Sequence, residues 1–292
     1  MEIINDNQAE KHRVQALVRL VADLPQPTQR NIINLLQPLP LVEANNSRDV
    51  QSSANNTCRI AEDCDLIVES RDQILELGVP AEKFETMPAF QQYMQSVVLG
   101  VTEEGKSNYL FNLFSAWYAV QDERILQDLV RTGYDGPFND QMYPDAPPPR
   151  HFNDTKLIAW RKWATFLGLG WPMRFGQREI IIPDATVRIR PLLSELFPDK
   201  TLLPFGTFME RLALHCPELD GGTLFRYCWQ ASRGAEERGR RISLMLSTAL
   251  RTLHGLGVIR LEEQADALEN WQLYPAEGNP HQQVTHITLV GV

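Results

Sequence analysis

The sequence predicts a mainly α (α+β) protein built from tandem winged-helix-like modules with a helical middle region. Three observations predict it. Apolar residues recur at helical spacing along most of the 292-residue chain. Two helices end in the same way, at Leu167-Gly-Leu-Gly-Trp171 and at Leu253-His-Gly-Leu-Gly-Val258, each followed by β-rich sequence. The tail 285–290 alternates polar and apolar residues, as a half-buried strand does. Helix, Gly-x-Gly stop and hairpin make the second half of a winged helix.

The elements follow in order. Val14, Leu17, Val18, Leu20 and Val21 form the apolar stripe of a helix over 8–24, stopped by Pro25 and Pro27. Thr28 caps a second helix through Ile32, Ile33, Leu35 and Leu36. Residues 42–57 are rich in Asn and Ser, which reads as a mobile loop or a weak helix around 49–53. Residues 64–69 have strand character. Residues 71–132 read as helical, broken near Gly78–Pro80, with Tyr109, Leu110, Leu113, Phe114 and Trp117 on one buried face. Gly133, Gly136, Pro137, Pro144 and the prolines 147–149 mark a linker over 133–153. A helix follows over 154–167, with Leu157, Trp160, Trp163, Ala164 and Leu167 inward and Arg161, Lys162 and Thr165 outward. Ile180–Ile182 is a strand, and 185–197 a helix crossed by Pro191. The last module contains helices at 206–216, 223–231 and 241–254, a hairpin spanning 258–274 and a strand at 285–290. The expected organisation is 1–70, a helical or winged-helix-like module; 71–150, a helical connector ending in the linker; 151–200, a middle winged-helix-like module; and 201–292, a C-terminal winged helix.

Bulk properties narrow the function. No apolar run approaches a membrane span, and Met1–Asn7 lacks the basic and apolar regions of a secretory signal, so a cytoplasmic protein is expected. The four cysteines 58, 64, 216 and 228 lack paired metal-ligand spacing and read as reduced, buried thiols. The net charge of −9 disfavours sequence-blind nucleic-acid binding, but it is segregated. Residues 205–260 hold eight arginines against five acids, so this window is +3 and the remainder −12.

That window carries the candidate site. On a helical wheel, Ile242, Met245, Leu246, Ala249, Leu250 and Leu253 fall on one side of residues 240–254. Arg240, Leu244, Ser247, Thr248 and Arg251 fall on the other. Small polar groups allow a helix close to a duplex, and arginines reach phosphates or guanine edges. The candidate nucleic-acid-binding residues are therefore Arg238, Arg240, Arg241, Ser247, Thr248, Arg251 and, in the wing, Arg260. The same pattern also describes a solvated face or a protein-docking winged helix, with Leu244 as an interface residue.

Gly100–Ser107 satisfies the phosphate-binding pattern G-x-x-x-x-G-K-[ST], in which Lys106 would reach β- and γ-phosphates and Ser107 would hold Mg²⁺. Val97–Leu99 could supply the preceding strand. Glu103 and Glu104 would sit where a polyphosphate lies, and the chain lacks the repeated βα units that such a loop requires. Six scattered histidines give no catalytic constellation. Pro183-Asp184 and Pro198-Asp199 are not followed by the acid-x-Lys strand of a nuclease. No catalytic residue, cofactor or metal is expected.

The N-terminal helices, the junction Leu167-Gly-Leu-Gly-Trp171 and the ending Leu253–Gln264 together resemble the DpdG family, components of bacterial clusters that insert 7-deazaguanine into DNA and restrict unmodified DNA. The resemblance is spread along the chain and includes no catalytic signature. It implies a cytoplasmic accessory subunit of an anti-phage or plasmid-defence system, working beside helicase, nuclease or modification partners. The function expected is a non-enzymatic DNA-associated adaptor with protein partners in a multi-subunit complex, duplex DNA as a possible partner through 233–260, and no membrane. The rivals are a dimeric winged-helix transcriptional regulator and a nucleotide hydrolase using Gly100–Ser107.

Overall fold

Apolar spacing sets most of the helices. The computed structural model describes residues 2–38, 49–127, 129, 133–145, 152–176, 178–234, 239–276, 278 and 282–291. The fold is mixed α/β, largely helical, with small antiparallel sheets. Backbone contacts divide it into two units. The first gathers Met1–Leu99, Gly105–Phe111 and Asn153–Phe166; the second gathers Gly100–Glu104, Asn112–Phe152 and Leu167–Val292.

In the first unit, α1 (Lys11–Asp23) buries Val14, Leu17, Val18 and Val21 against α2 (Gln29–Leu36), α3 (Asp49–Asp63) and β2 (Leu75–Leu77). Thr28 caps α2 as its sequence suggests, its hydroxyl accepting from the Asn31 amide at 3.3 Å. Of the polar stretch 42–57, read as a mobile loop or a weak helix around 49–53, residues 42–48 lie outside the described residues, and 49–57 form the first part of α3, which runs on to Asp63. Ala54, Thr57, Cys58 and Ala61 are buried, so small side chains spaced three and four apart make an inward face that an average of polarity conceals. β1 (Ile67–Glu69) pairs antiparallel with β2, Ile67 opposite Leu77 and Glu69 opposite Leu75. The expectation of helix over 71–132, broken near Gly78–Pro80, therefore fails already at β2. α4 (Met87–Val98) starts on a Thr86 cap, with Pro88 in its first turn.

α7 (Asp154–Leu167) opens on Asn153, whose side chain accepts from the Lys156 amide at 3.1 Å. Its inward residues are those expected. Lys162 is paired with Glu10, and its ammonium also donates to the Asn7 carbonyl at 2.8 Å. Glu2 is held at the start of α5 (Tyr109–Val120), accepting from the amides of Leu110 at 3.1 Å and Phe111 at 3.2 Å. Burial pushes its carboxyl up against the opposing pull of those two amides.

In the second unit, α5 is buried on all sides from Asn112 to Val120, including Asn112 and Ser115, rather than along one stripe. Phe114 stacks on Phe152 at 3.9 Å and meets Phe138 edge-on at 5.0 Å. Phe138 lies on α6 (Asp135–Met142), so the expected linker contains a helix anchored by a fully buried ring. Residues 146–151, with the proline run, lie outside the described residues.

β3 (Gly170–Phe175) and β4 (Arg178–Pro183) form the expected hairpin. Pro191 divides the next helical stretch into α8 (Thr186–Ile189), a 3-10 turn (Arg190–Leu192) and α9 (Leu193–Leu196). The C-terminal elements follow: β5 (Leu202–Pro204), α10 (Phe205–His215), α11 (Thr223–Arg233), α12 (Leu244–Gly255), β6 (Ile259–Glu262), β7 (Trp271–Gln272), β8 (Gln283–Val284) and β9 (His286–Leu289). The expected 258–274 hairpin does not form. β6 pairs with β9, giving the sheet order β5-β9-β6, and β7 pairs with β8.

The two Gly-Leu-Gly junctions differ physically. Gly168 has φ +80, and a Cβ there would lie 2.7 Å from the Val187 Cβ and 2.8 Å from the Arg188 amide nitrogen. The second junction is open: a Cβ at Gly255 or Gly257 meets nothing within 4 Å, and only Gly257, at φ +71, needs glycine for its conformation.

Candidate functional site

The candidate site is built around α12. Ser243 caps it, its hydroxyl accepting from the Leu246 amide at 3.1 Å. Asp220, from the turn between α10 and α11, accepts from the Ser243 amide at 2.7 Å and from its hydroxyl at 2.6 Å. Asp122 accepts from the Leu244 amide at 2.8 Å. Two carboxylates thus fill the positive end of the helix, where a bound phosphate would otherwise go. Asp122 holds a left-handed conformation there, at φ +52.

The inward face of α12 is as read from the sequence: Met245, Leu246, Ala249, Leu250 and Leu253 are buried. The outer face is not a free surface. α12 also packs on α8, on β4 and on the turn at Asp122–Ile125. No residue from Leu244 to His254 is exposed. Ser247, a candidate for base contact, is fully buried, and its hydroxyl accepts from the Tyr274 amide at 2.7 Å. Thr248 is half-buried and donates to the Leu244 carbonyl at 2.8 Å. Arg251 is half-buried, and burial lowers its guanidinium pKa.

The remaining candidates are dispersed. Arg240 pairs with Glu269 at 2.7 Å. Arg241 is exposed on the strand-like segment that meets Gln272, where the Ile242 amide donates to the Gln272 carbonyl at 3.0 Å. Arg260 is exposed on β6, opposite Thr288 on β9. Arg238 lies outside the described residues. Arg240 and Arg241 precede α12, Arg251 is partly enclosed and Arg260 is on the sheet, so a single reading face is not assembled from them.

The residues that organise the region went unremarked in the sequence. Arg188 of α8 is buried, its Nε donating to Glu218 at 2.9 Å and its Nη2 to the His215 carbonyl at 2.8 Å. Burial is the largest single influence and works against the guanidinium charge, but the combined pull of the neighbouring acidic groups, Glu218 foremost and Glu195 among them, leaves the Arg188 pKa raised. Glu218 is fully buried, and its Oε2 has no hydrogen-bond partner among the described residues. A local signal existed: Glu218 and Asp220 bracket a Leu in the short connection before Gly221-Gly222, an unusual place for two acids to be buried.

The phosphate-loop pattern has a different setting from the one its chemistry needs. Val97 and Val98 close helix α4, and Leu99 is its C-cap, so a helix and not a strand precedes Gly100. Turns and bends occupy 103–108, and α5 begins at Tyr109, after the pattern ends.

All four cysteines are free and buried. Among the described residues, no three His, Cys, Asp or Glu side chains gather as metal ligands would, and no helix is long and apolar enough to cross a membrane.

A family model described as DpdG-like matches residues 1–267. Neither the curated proteins nor the solved structures contain a match to this chain. The family match spans both structural units and runs past β6, and on this extent the chain belongs to the DpdG-like family.

Proposed function

We propose that this chain is a non-enzymatic adaptor or scaffold subunit of a bacterial DNA-modification and anti-phage defence complex, acting through protein contacts. Membership of the DpdG-like family supports the system. The enclosure of α12 is the observation that carries the role. We read residues 201–292 as a winged-helix module, because a strand, three helices and two further strands follow in the order β5-α10-α11-α12-β6-β9, with β9 central in the sheet. In a DNA-reading module the third helix must enter a groove. Here that helix has both sides packed and its N-terminal amides satisfied by Asp122 and Asp220. A winged helix so placed serves as a rigid core that presents other surfaces. The acidic remainder of the chain suits a subunit that stands beside DNA without gripping it.

Affinity purification of the tagged full-length chain from its native host tests this. The expected result is recovery of stoichiometric protein partners that modify, unwind or cut DNA. Recovery of the chain alone, or an ATP hydrolysis activity of the purified chain that Lys106→Ala abolishes, would overturn it.

A further inference from the structure

Three clefts adjoin along the C-terminal module. The central one, about 590 Å³, is lined from α10 and α11, with Met209, Phe225, Trp229 and Trp271 in its lining. A neighbour of about 490 Å³ shares Gly206, Glu210 and Glu269 with it. A third, of about 430 Å³, shares Trp229, Arg241 and Ile242. Leu214, 83% exposed, lines the central cleft, and Leu268, 99% exposed, lines the 490 Å³ neighbour. Single exposed leucines are ordinary, but two almost fully exposed ones on adjoining clefts mark a contact surface.

The clefts differ in charge. The charged residues lining the 490 Å³ cleft are Glu210, Asp266 and Glu269, and no lysine or arginine lines it among the described residues. Glu269 is held by Arg240 at 2.7 Å. Glu210 and Asp266 are exposed, and neither makes an ion pair or side-chain hydrogen bond among the described residues. The other titratable group in the lining, His286, has its Nδ1 3.0 Å from the Thr285 hydroxyl. Phe205 and Leu268 add apolar surface to the same cleft. The central cleft is mixed, since Arg226 and Arg241 join Glu210 and Glu269 there. The third is mixed too, with Glu123 beside Arg233 and Arg241. The excess of negative charge therefore lies at one end of the groove.

We infer that the acidic cleft and the central cleft together hold a segment of a partner protein that carries a lysine or arginine beside an apolar anchor. The inference deepens the adaptor reading and rests on it. A lysine or arginine matches the acidic cleft in both of its parts. Its methylene stem lies along apolar surface, here Phe205 and Leu268, while its charged head meets carboxylates, here Glu210 and Asp266. The anchor belongs in the central cleft, where methionine and aromatic side chains are the groups that interfaces favour. Charge complementarity sets the sign of the occupant: an acidic segment, or a nucleic-acid backbone, would bring like charge against Glu210 and Asp266.

Selection of phage-displayed random dodecapeptides on the full-length chain tests the inference, and fluorescence polarisation of one selected peptide measures it. Enriched sequences are expected to place lysine or arginine close to leucine, phenylalanine or tryptophan. Glu210→Lys with Asp266→Lys is expected to weaken binding of that peptide by roughly tenfold, the scale of two exposed ion pairs turned into repulsions. Both positions are exposed, so the fold is expected to persist, which circular dichroism checks. Glu179→Lys, an exposed site on β4 outside the three clefts, is expected to leave binding unchanged. Failure to enrich any sequence, or enrichment of acidic or uncharged ones, would overturn the inference. So would binding indifferent to the double reversal, or weakened as much by Glu179→Lys. A species of twice 33.3 kDa in light scattering that the double reversal returns to 33.3 kDa would put a second copy in the groove and overturn it as well. Partners recovered by affinity purification in undiminished amount from the double variant would sink this inference and leave the adaptor reading standing. Recovery of the chain alone from wild type would sink both.

Discussion

Replacing Arg188 by methionine is expected to destabilise the second unit by about 3–5 kcal/mol, the usual cost of stranding one member of a buried ion pair. The structure shows why the cost is at this level rather than that of a surface pair. Glu218 has no exposed area, one of its oxygens already has no partner, and the other depends on the Arg188 Nε at 2.9 Å. Methionine fills much of the arginine's volume but leaves a carboxylate in an apolar interior and the His215 carbonyl without its donor. The Glu218 charge is the larger part, so removing it as well should reverse most of the loss: Arg188→Met with Glu218→Leu should lie within about 1–2 kcal/mol of wild type. Urea denaturation followed by circular dichroism reads this as a fall of the midpoint by roughly 1–3 M for the single variant and substantial recovery for the double. A loss below about 1 kcal/mol for the single variant, or a double variant no more stable than the single, would refute the reasoning.

Three further outcomes follow from local geometry. Gly168→Ala should cost more than about 2 kcal/mol, because it combines a positive φ with backbone overlap, whereas Gly255→Ala should stabilise by about 0.5–1 kcal/mol; thermal melts distinguish the two. The four cysteines should resist a thiol reagent at pH 8 in the native protein and react in denaturant: burial, aided by Glu62 and Asp63 respectively, pushes the Cys58 and Cys64 thiols up to about 12, and it raises Cys216 and Cys228 as well. Rapid native reaction would contradict the enclosure described. Burial raises the folded-state pKa of Glu2, so its stabilising contribution is fully present below the ordinary value of 4.5 and is lost as pH rises through the raised value. Wild type minus Glu2→Gln stability should therefore fall with pH from 4.5 upward, and a flat difference would count against the buried setting.

Much of the fold was legible because helices announce themselves by period. α1, α7, α10 and α11 lie within a few residues of where their apolar stripes place them. The failures share a cause. α3 was hidden because its inward residues are Ala, Thr and Cys, and β2 because three residues between turns carry too little pattern to stand out from helix. The pairing of β6 with β9 was illegible because strand partners separated by over twenty residues leave no mark in local sequence.

The candidate site shows the same limit more sharply. The helical wheel found the apolar face of α12, yet it treated Ser247 and Thr248 as outward polar groups. Both are tolerated inside because their hydroxyls find backbone partners, Ser247 at Tyr274 and Thr248 at Leu244. Small residues that allow close approach to a duplex equally allow close approach to α8. Which of the two occurs depends on long-range contacts, and those run through Arg188, Glu218 and Asp220, residues that no motif marks.

The salt dependence of duplex DNA binding by the full-length chain, compared with that of an Arg251→Ala variant, tests the enclosure of α12 most directly. With α12 packed as described, wild type and variant should show the same affinity and the same slope of log affinity against log salt. A variant that binds more weakly with a slope shallower by about 1 would mean that Arg251 holds a phosphate and that α12 is open to DNA.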